Sequence, residues 1–160
     1  MRIFAIADLH FDFKKEKPMD VFGDNWENHE EKIIENWKNT VDEEDLVLIP
    51  GDISWALKLN DALEDLIRIE NLPGMKIIGK GNHDYWWSTI SQLDRLNLKT
   101  IKFLKNNFHK YDDVVICGTR GWDTMEEYCA EVDNEKIFLR ELNRFKISLQ
   151  AAKKVSGKKI

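Results

Sequence analysis

The sequence predicts an α/β protein built on a mostly parallel β-sheet with helices on both faces. Three short apolar runs have the composition of strands buried on both faces of such a sheet: residues 2–7, Leu46–Ile49 and Met75–Gly79. A segment with apolar residues at helical spacing follows each run. Strands that alternate with helices need crossover connections, and these favour parallel pairing.

The three helical segments cover about residues 26–41, 60–70 and 88–97. Charged residues occupy the opposite side of the first segment, and its acidic residues near the start suit the positive end of a helix. The apolar positions predicted to face the sheet are Ile33, Ile34, Trp37 and Val41, then Leu59, Leu63, Leu66 and Ile67, then Ile90, Leu93 and Leu96.

The second half of the chain predicts two further strands, Lys99–Leu104 and Val114–Cys117, separated by a polar stretch. The last helix is predicted from about residue 134 to 155, because Phe138, Leu142, Phe145, Leu149 and Ala152 recur every three or four residues. Residues 158–160 resemble the opening of another strand. We expect residues 1–160 to form one domain.

Composition limits the possible functions. The net charge of −5 disfavours general nucleic-acid binding, which needs clustered Lys and Arg, so nucleic acid is expected only as a substrate. The start of the chain has no signal-peptide pattern, and no apolar run reaches the ~20 residues that span a membrane. The sequence predicts a cytoplasmic protein without a membrane partner. Cys117 and Cys129 are expected to be reduced thiols, since two cysteines without CxxC spacing form no zinc ribbon.

Metal-binding residue types follow each of the first three strands. Asp8 and His10 come after the first strand, Asp52 after the second and Asn82 after the third. The carboxyl ends of parallel strands share one edge of a sheet, so we expect these side chains to meet in one crevice. Carboxylate oxygen, amide oxygen and imidazole nitrogen are ligands of hard and borderline divalent cations.

This ordered set of D-x-H, G-D and G-N-H-D resembles the signature of the calcineurin-like metallophosphoesterase superfamily. The resemblance implies that Asp8 and His10 bind a first metal, that Asp52 bridges two metals and that Asn82 binds the second. It implies a catalytic role for His83, which would contact the substrate phosphate and assist the leaving group, and Asp84 could orient it. The implied fold is part of the β-sandwich of that superfamily, with the C-terminal portion missing.

The implied reaction is hydrolysis of a phosphomonoester or phosphodiester by water activated at two metal ions. Mixed nitrogen and oxygen ligands accommodate Mn²⁺, Fe and Zn²⁺, whereas imidazole disfavours Mg²⁺. The substrate remains open, because relatives with the same metal core act on phosphoproteins, nucleotides, nucleic acids and lipid-derived phosphates.

Members of the superfamily carry further His ligands in two later segments, which these 160 residues do not contain. We therefore expect a domain truncated at its C-terminus, weak metal binding and self-association through an exposed sheet edge. The alternative function is a binding scaffold or inactive fragment with this fold. His29 and His109 are expected to be solvated surface residues.

Two weaker signals concern the substrate. Trp55, Trp86, Trp87 and Trp122 follow predicted strands and could stack on an aryl group or nucleobase, or could be packing residues. Arg120, after the Val114–Cys117 strand, could contact a phosphate oxygen, or could pair with a carboxylate.

Overall fold

The computed structural model describes residues 1–121, 132–155 and 157–159. The chain divides into two compact units, Met1–Phe103 and Leu104–Ile160. Among the described residues, no helix combines the length and the apolar character needed to cross a membrane.

The first unit is a four-stranded parallel sheet with connecting helices, which confirms the predicted fold class. Its elements are β1 (Ile3–Ala5), α1 (His29–Thr40), β2 (Leu46–Ile49), α2 (Leu59–Glu70), β3 (Met75–Ile78), α3 (Ile90–Asp94) and β4 (Ile101–Phe103). The strands lie side by side in chain order. Because they run in one direction, the loops that leave β1, β2 and β3 emerge at the same edge of the sheet.

The core of the first unit joins the central strands to the helices. Nearly every residue of β2 and β3 is buried, and α2 buries Leu66 and Ile69 against the same cluster. Each such side chain contributes about 1.5–3 kcal/mol through removal from water. Ile67, which the periodicity places inward, is instead 38% exposed.

Strand β1 differs from the prediction that it is buried on both faces. Ile3 is 38% exposed and Ala5 is also exposed. Among the described residues β1 pairs only with β2, so it forms an edge of the sheet. An apolar run does not reveal whether a strand is central or at an edge, because its neighbours decide that. Self-association through an exposed sheet edge stays a prediction.

A side-chain anchor fixes the start of β1 beside the start of β2. The backbone N–H of Arg2 donates to Asp45 at 2.6 Å, and its guanidinium donates to Asp45 and Asp42 at 2.7 Å each. The Arg2 guanidinium, helped by the backbone N–H groups of Asp42 and Arg2, holds the pKa of Asp45 well below its usual range. Asp45 therefore stays ionised and continues to accept these bonds.

One lysine in β3 is completely buried. Lys76 is 0% exposed, and its ammonium donates to the carbonyl groups of Leu72 and Glu70 and to the Thr100 hydroxyl. These acceptors lie where α2 ends and just before β4 starts. Burial lowers the pKa of Lys76 to about 8, although Glu70 and Glu43 oppose the shift.

The second unit contains β5 (Phe108–Tyr111), β6 (Val114–Cys117), α4 (Val132–Lys153) and β7 (Lys158–Lys159). β5 and β6 form an antiparallel hairpin, and β7 pairs parallel to β6. The sequence predicts β6 and the opening of β7 but assigns no strand to the polar stretch before β6. The four residues of β5, Phe-His-Lys-Tyr, do not alternate between apolar and polar types, so periodicity does not mark this strand.

Helix α4 has a less apolar inward side than its periodicity predicts. Leu142 and Phe145 are 36% and 41% exposed, whereas Glu141, Ser148 and Ala152 are buried. The Ser148 hydroxyl accepts the N–H of Gly118 at 2.9 Å and donates to the carbonyl of Asn107 at 2.5 Å. Polar contacts to the hairpin therefore help to set how this helix is rotated.

We predict that Lys76→Met changes the pH dependence of stability. Because the folded-state pKa is about 8 and an unfolded lysine titrates near 10.4, the unfolded chain binds more protons between these values. Lys76 therefore makes the free energy of unfolding rise with pH in this window, by at most about 1.4 kcal/mol per pH unit.

Urea unfolding of parent and variant at several pH values from 7.5 to 10 tests this prediction. The slope of the free energy of unfolding against pH should be smaller in the variant, by at most about 1.4 kcal/mol per pH unit. The matched control is Lys102→Met, which changes an exposed lysine of β4. Lys102→Met should keep the parental slope. An unchanged slope in Lys76→Met would contradict the assigned burial of the charge.

Candidate metal centre

Three predicted ligands come together at the edge of the sheet where β1 and β2 end. Asp8, His10 and Asp52 each offer one ligand atom, and these atoms lie within 4.8 Å of one another. His10 Nε2 is 3.8 Å from Asp8 Oδ1. The Asp8 side chain is 60% exposed, while Asp52 and His10 are buried, so the group is open to solvent on the Asp8 side.

The backbone conformation of these three residues is unusual. Asp8, His10 and Asp52 have φ values of 58°, 47° and 54°, in the left-handed region that non-glycine residues rarely adopt. Aspartate and histidine tolerate this region better than most residues do. Such conformations persist only where surrounding contacts enforce them, and they cluster at functional sites.

Backbone hydrogen bonds hold the two ligand loops against each other. The N–H of Asp8 donates to the carbonyl of Gly51 at 3.2 Å, and the N–H of His10 donates to the carbonyl of Asp52 at 2.9 Å. One residue further on, Phe11 N–H donates to the carbonyl of Ile53 at 2.9 Å. The parallel pairing of β1 and β2 thus continues, in irregular form, through the ligands themselves.

Asp84 fastens the loop after β3 to the loop after β2. Its carboxylate is fully buried and accepts the backbone N–H groups of Asp52, Ile53 and Gly81, each at 2.8 Å. The indole N–H of Trp86 donates to it at 2.9 Å. Burial raises the pKa of Asp84, and the four donors oppose that rise. The sequence predicts that Asp84 orients His83, but these bonds go instead to the main chain of both loops and to Trp86.

Two glycines allow the loops after β2 and β3 to approach closely. A side chain at Gly51, where φ is 151°, would collide with the backbone of Gly81, and one at Gly81 would collide with Asp52. The N–H of His83 donates to Asp52 Oδ1 at 2.9 Å. Asn82 therefore lies between two residues that both contact Asp52, and its side chain is exposed.

The His83 ring lies among aromatic side chains beside the ligands. Its centroid is 5.1 Å from the Trp55 ring, 5.8 Å from the His10 ring and 6.4 Å from the Tyr85 ring. Trp55 also stacks on His10, with centroids 4.6 Å apart and an angle of 18° between the planes. Trp55 thus contacts both imidazoles.

Sequence reasoning missed His29, which is half-buried rather than solvated. Its Nε2 lies 3.2 Å from the carbonyl oxygen of Leu9 and 3.3 Å from that of His10, and Trp26 packs edge-on against its ring. His29 therefore contacts the backbone of the first ligand loop from the start of α1. The Glu-rich sequence around His29 does not predict this contact, because the contact depends on how α1 packs.

A second group of charged residues supports the chain just after His10. Glu30 accepts the N–H of Asp12 at 2.7 Å and pairs with Arg68 at 2.5 Å. Asp65 accepts the N–H of Phe13 at 3.0 Å and the Ser54 hydroxyl at 2.6 Å. These contacts tie the segment that follows the ligands to α1 and α2.

The donor set fits a divalent cation. Burial lowers the pKa of His10, although Asp52 and Asp8 oppose the shift, and the neutral imidazole is the form that ligates metals. His10 Nδ1 is buried and has no hydrogen-bond partner among the described residues. Two carboxylates and a neutral imidazole are a mixed oxygen and nitrogen set that suits Mn²⁺, Fe or Zn²⁺.

The other residues considered for the site fall into three groups. Trp86 and Trp87 are 2% and 8% exposed and belong to the core, which supports packing rather than stacking on a substrate. Arg120 belongs to the second unit, so its contact with phosphate stays a prediction. Trp122 and Cys129 lie outside the described residues.

The fold and these residues define an α/β protein with a candidate metal centre at the carboxyl edge of a parallel sheet. The family model of calcineurin-like phosphoesterases matches residues 1–151. The chain therefore belongs to the calcineurin-like phosphoesterase family.

A solved structure of a protein of unknown function from Aquifex aeolicus is similar to this chain, with 20% sequence identity and a TM-score of 0.46. The similarity covers 88% of this chain and 73% of that one. No curated protein matches the chain. The family assignment therefore rests on the family model.

We predict that Asp84→Asn destabilises the protein and weakens metal binding. An amide in place of the carboxylate points an N–H₂ group at a backbone donor and removes the charge that strengthens the other bonds. The expected loss is about 2–4 kcal/mol in the free energy of unfolding, measured with urea.

The control is Asp94→Asn, which changes an exposed aspartate at the end of α3 and should stay within about 0.5 kcal/mol of the parent. Mn²⁺ titration of both folded variants should show weaker binding only for Asp84→Asn. A stable Asp84→Asn protein with parental Mn²⁺ affinity would show that the carboxylate does not hold the ligand loops.

Proposed function

We propose that the protein hydrolyses a phosphomonoester or phosphodiester, using two divalent cations held at the edge of the parallel sheet. The observation that carries this proposal is the convergence of Asp8, His10 and Asp52 within 4.8 Å in a chain of the calcineurin-like phosphoesterase family. Asp8 and His10 would hold the first cation, Asn82 would hold the second, and Asp52 would contribute to holding both. Mn²⁺, Fe and Zn²⁺ all suit these donors.

Bound cations supply Lewis acidity that activates water and polarises the phosphoryl oxygens. Hydrolysis joins a water oxygen to phosphorus, breaks the bond from phosphorus to the leaving oxygen and requires a proton on that departing oxygen. His83 donates this proton, because its ring lies beside the ligands and an imidazolium group can serve as a general acid.

The other residues hold these groups in place. Asp84 keeps the loops after β2 and β3 together through its bonds to Asp52 and Gly81. Trp55 stacks on His10 and contacts His83 at a tilted angle, and both contacts limit the movement of the two rings. Ligands held on strained loops in this way are positioned before substrate arrives, which is the usual requirement for catalysis.

We predict that Asp52→Asn abolishes metal-dependent turnover. The amide retains an oxygen that can accept the N–H of His83, so the loop can still form, but the negative charge that two cations would share is lost. Turnover of an aryl phosphomonoester and an aryl phosphodiester with Mn²⁺ should fall by about 100-fold or more. Asp94→Asn, purified in the same way, is the control for contaminating activity, and equal rates in parent and Asp52→Asn would refute the proposed centre.

We predict that His83→Ala lowers the rate while leaving Mn²⁺ affinity close to that of the parent. Loss of a general acid costs about 10²–10⁴-fold, and the loss should be larger for an alkyl ester than for a nitrophenyl ester, whose leaving group needs no proton. His109→Ala in the second unit is the matched control. Parental rates on both esters in His83→Ala would exclude His83 as the proton donor.

A further inference from the structure

A cleft beside the proposed metal centre has no assigned role. It has a volume of about 160 Å³ and lies between residues 12–17, after β1, and residues 55–58, after β2. Trp55 lines it, and the same ring contacts His10 and His83 at centroid distances of 4.6 and 5.1 Å. Trp55 is therefore in contact with both the cleft and the two imidazoles. We refer to it as the Trp55 cleft.

The walls of the Trp55 cleft expose large apolar groups. Phe13 is 54% exposed and Leu57 is 63% exposed, and both line the cleft together with Trp55 and Ala56. One exposed apolar side chain needs no explanation, but two that face the same cleft beside a catalytic centre form an apolar surface that a ligand can cover.

The charges around the Trp55 cleft nearly balance. Its lining includes three lysines and four acidic residues, namely Lys14, Lys17 and Lys58 with Asp12, Glu16, Asp61 and Asp65. Several are already engaged: Lys14 pairs with Asp61 at 2.7 Å, and Lys17 Nζ lies 4.9 Å from the centre of the Trp55 ring. A cleft with this balance provides no net attraction for a polyanion, so it disfavours a leaving group that carries further phosphates.

The size of the Trp55 cleft matches one ring. An apolar cavity of about 150 Å³ holds a benzene molecule, and the Trp55 cleft has a similar volume of about 160 Å³. A nucleoside, with a sugar and a base, would extend well beyond it.

We propose that the Trp55 cleft binds the leaving group of the phosphoester substrate, and that this group is an uncharged aromatic or similarly sized apolar alcohol. The inference rests on the proposed function, which puts the departing oxygen next to His83. A group attached to that oxygen would extend toward Trp55 and the cleft that it lines. The substrate class is thus an ester between phosphate and a compact apolar alcohol.

Paired esters of benzyl alcohol and 2-methoxyethanol test the inference, because the two alcohols have similar acidity but differ in apolar surface. We expect kcat/KM to favour the benzyl ester by about tenfold or more. Leu57→Ser and Phe13→Ser should each lower kcat/KM for the benzyl ester several-fold and leave the methoxyethyl ester within about twofold. Both changed residues are more than half exposed, so the variants should fold.

Val21→Ser is the matched control, since Val21 is 72% exposed in the connection from β1 to α1 but does not line the cleft. Val21→Ser should leave kcat/KM unchanged for both esters. Equal preference for the two esters, or a benzyl preference that survives Leu57→Ser and Phe13→Ser, would overturn the inference while leaving phosphoester hydrolysis intact. Preference for a 4-carboxybenzyl ester over the benzyl ester would overturn it too.

A binding measurement separates this inference from the proposed function. Benzyl alcohol, added to the parent protein, should shift the indole N–H signal of Trp55 in NMR spectra, with a much smaller shift in Leu57→Ser. That result supports the cleft even if no ester is hydrolysed, in which case only the proposed function fails. No shift in the parent protein would overturn the inference, whatever the turnover.

Discussion

The candidate site depends on a backbone constraint, namely that Asp8, His10 and Asp52 adopt left-handed conformations and still remain next to one another. Left-handed conformations of this kind cost of order 1–3 kcal/mol each, and a short loop does not hold them unaided. The parallel pairing of β1 with β2 places the two loops side by side, and the hydrogen bonds of Asp84 fix the second loop to the third. Ligand geometry is therefore a consequence of sheet pairing and one buried carboxylate.

Carboxylates that accept backbone N–H groups recur throughout the first unit. Asp45 joins the starts of β1 and β2, Glu30 and Asp65 hold the segment after His10, and Asp84 holds the ligand loops. Acidic residues thus accept hydrogen bonds from backbone N–H groups of irregular segments, where no strand or helix provides an acceptor. Several of the protein's 29 acidic residues thus have a structural role inside the first unit.

The sequence predicts the parallel sheet and the convergence of Asp8, His10 and Asp52, because both depend on local patterns: apolar runs of strand length, helical spacing between them and short motifs where the strands end. It does not predict the exposure of β1 or the contact that His29 makes, because those depend on which elements pack together. It predicts His83 as the partner of Asp84, whereas the carboxylate bonds to backbone N–H groups and Trp86, since a carboxylate after a strand can face either a ring or a backbone. Tertiary placement decides between such options, and one sequence does not encode it locally.

Charge sets the order of events at the proposed site. Asp8 and Asp52 place two negative groups where a phosphoester must bind, and at separations of about 4 Å a pair of like charges repels by ~1–4 kcal/mol at dielectric constants between those of water and a protein surface. Cations reverse the sign of this field, so we expect cation binding to precede substrate binding. The nearly neutral Trp55 cleft lies beside this centre and does not need a bound cation before it can accept an uncharged group. In this proposal, attraction for the phosphate and selection of the leaving group come from different parts of the site, and we expect each to change without the other.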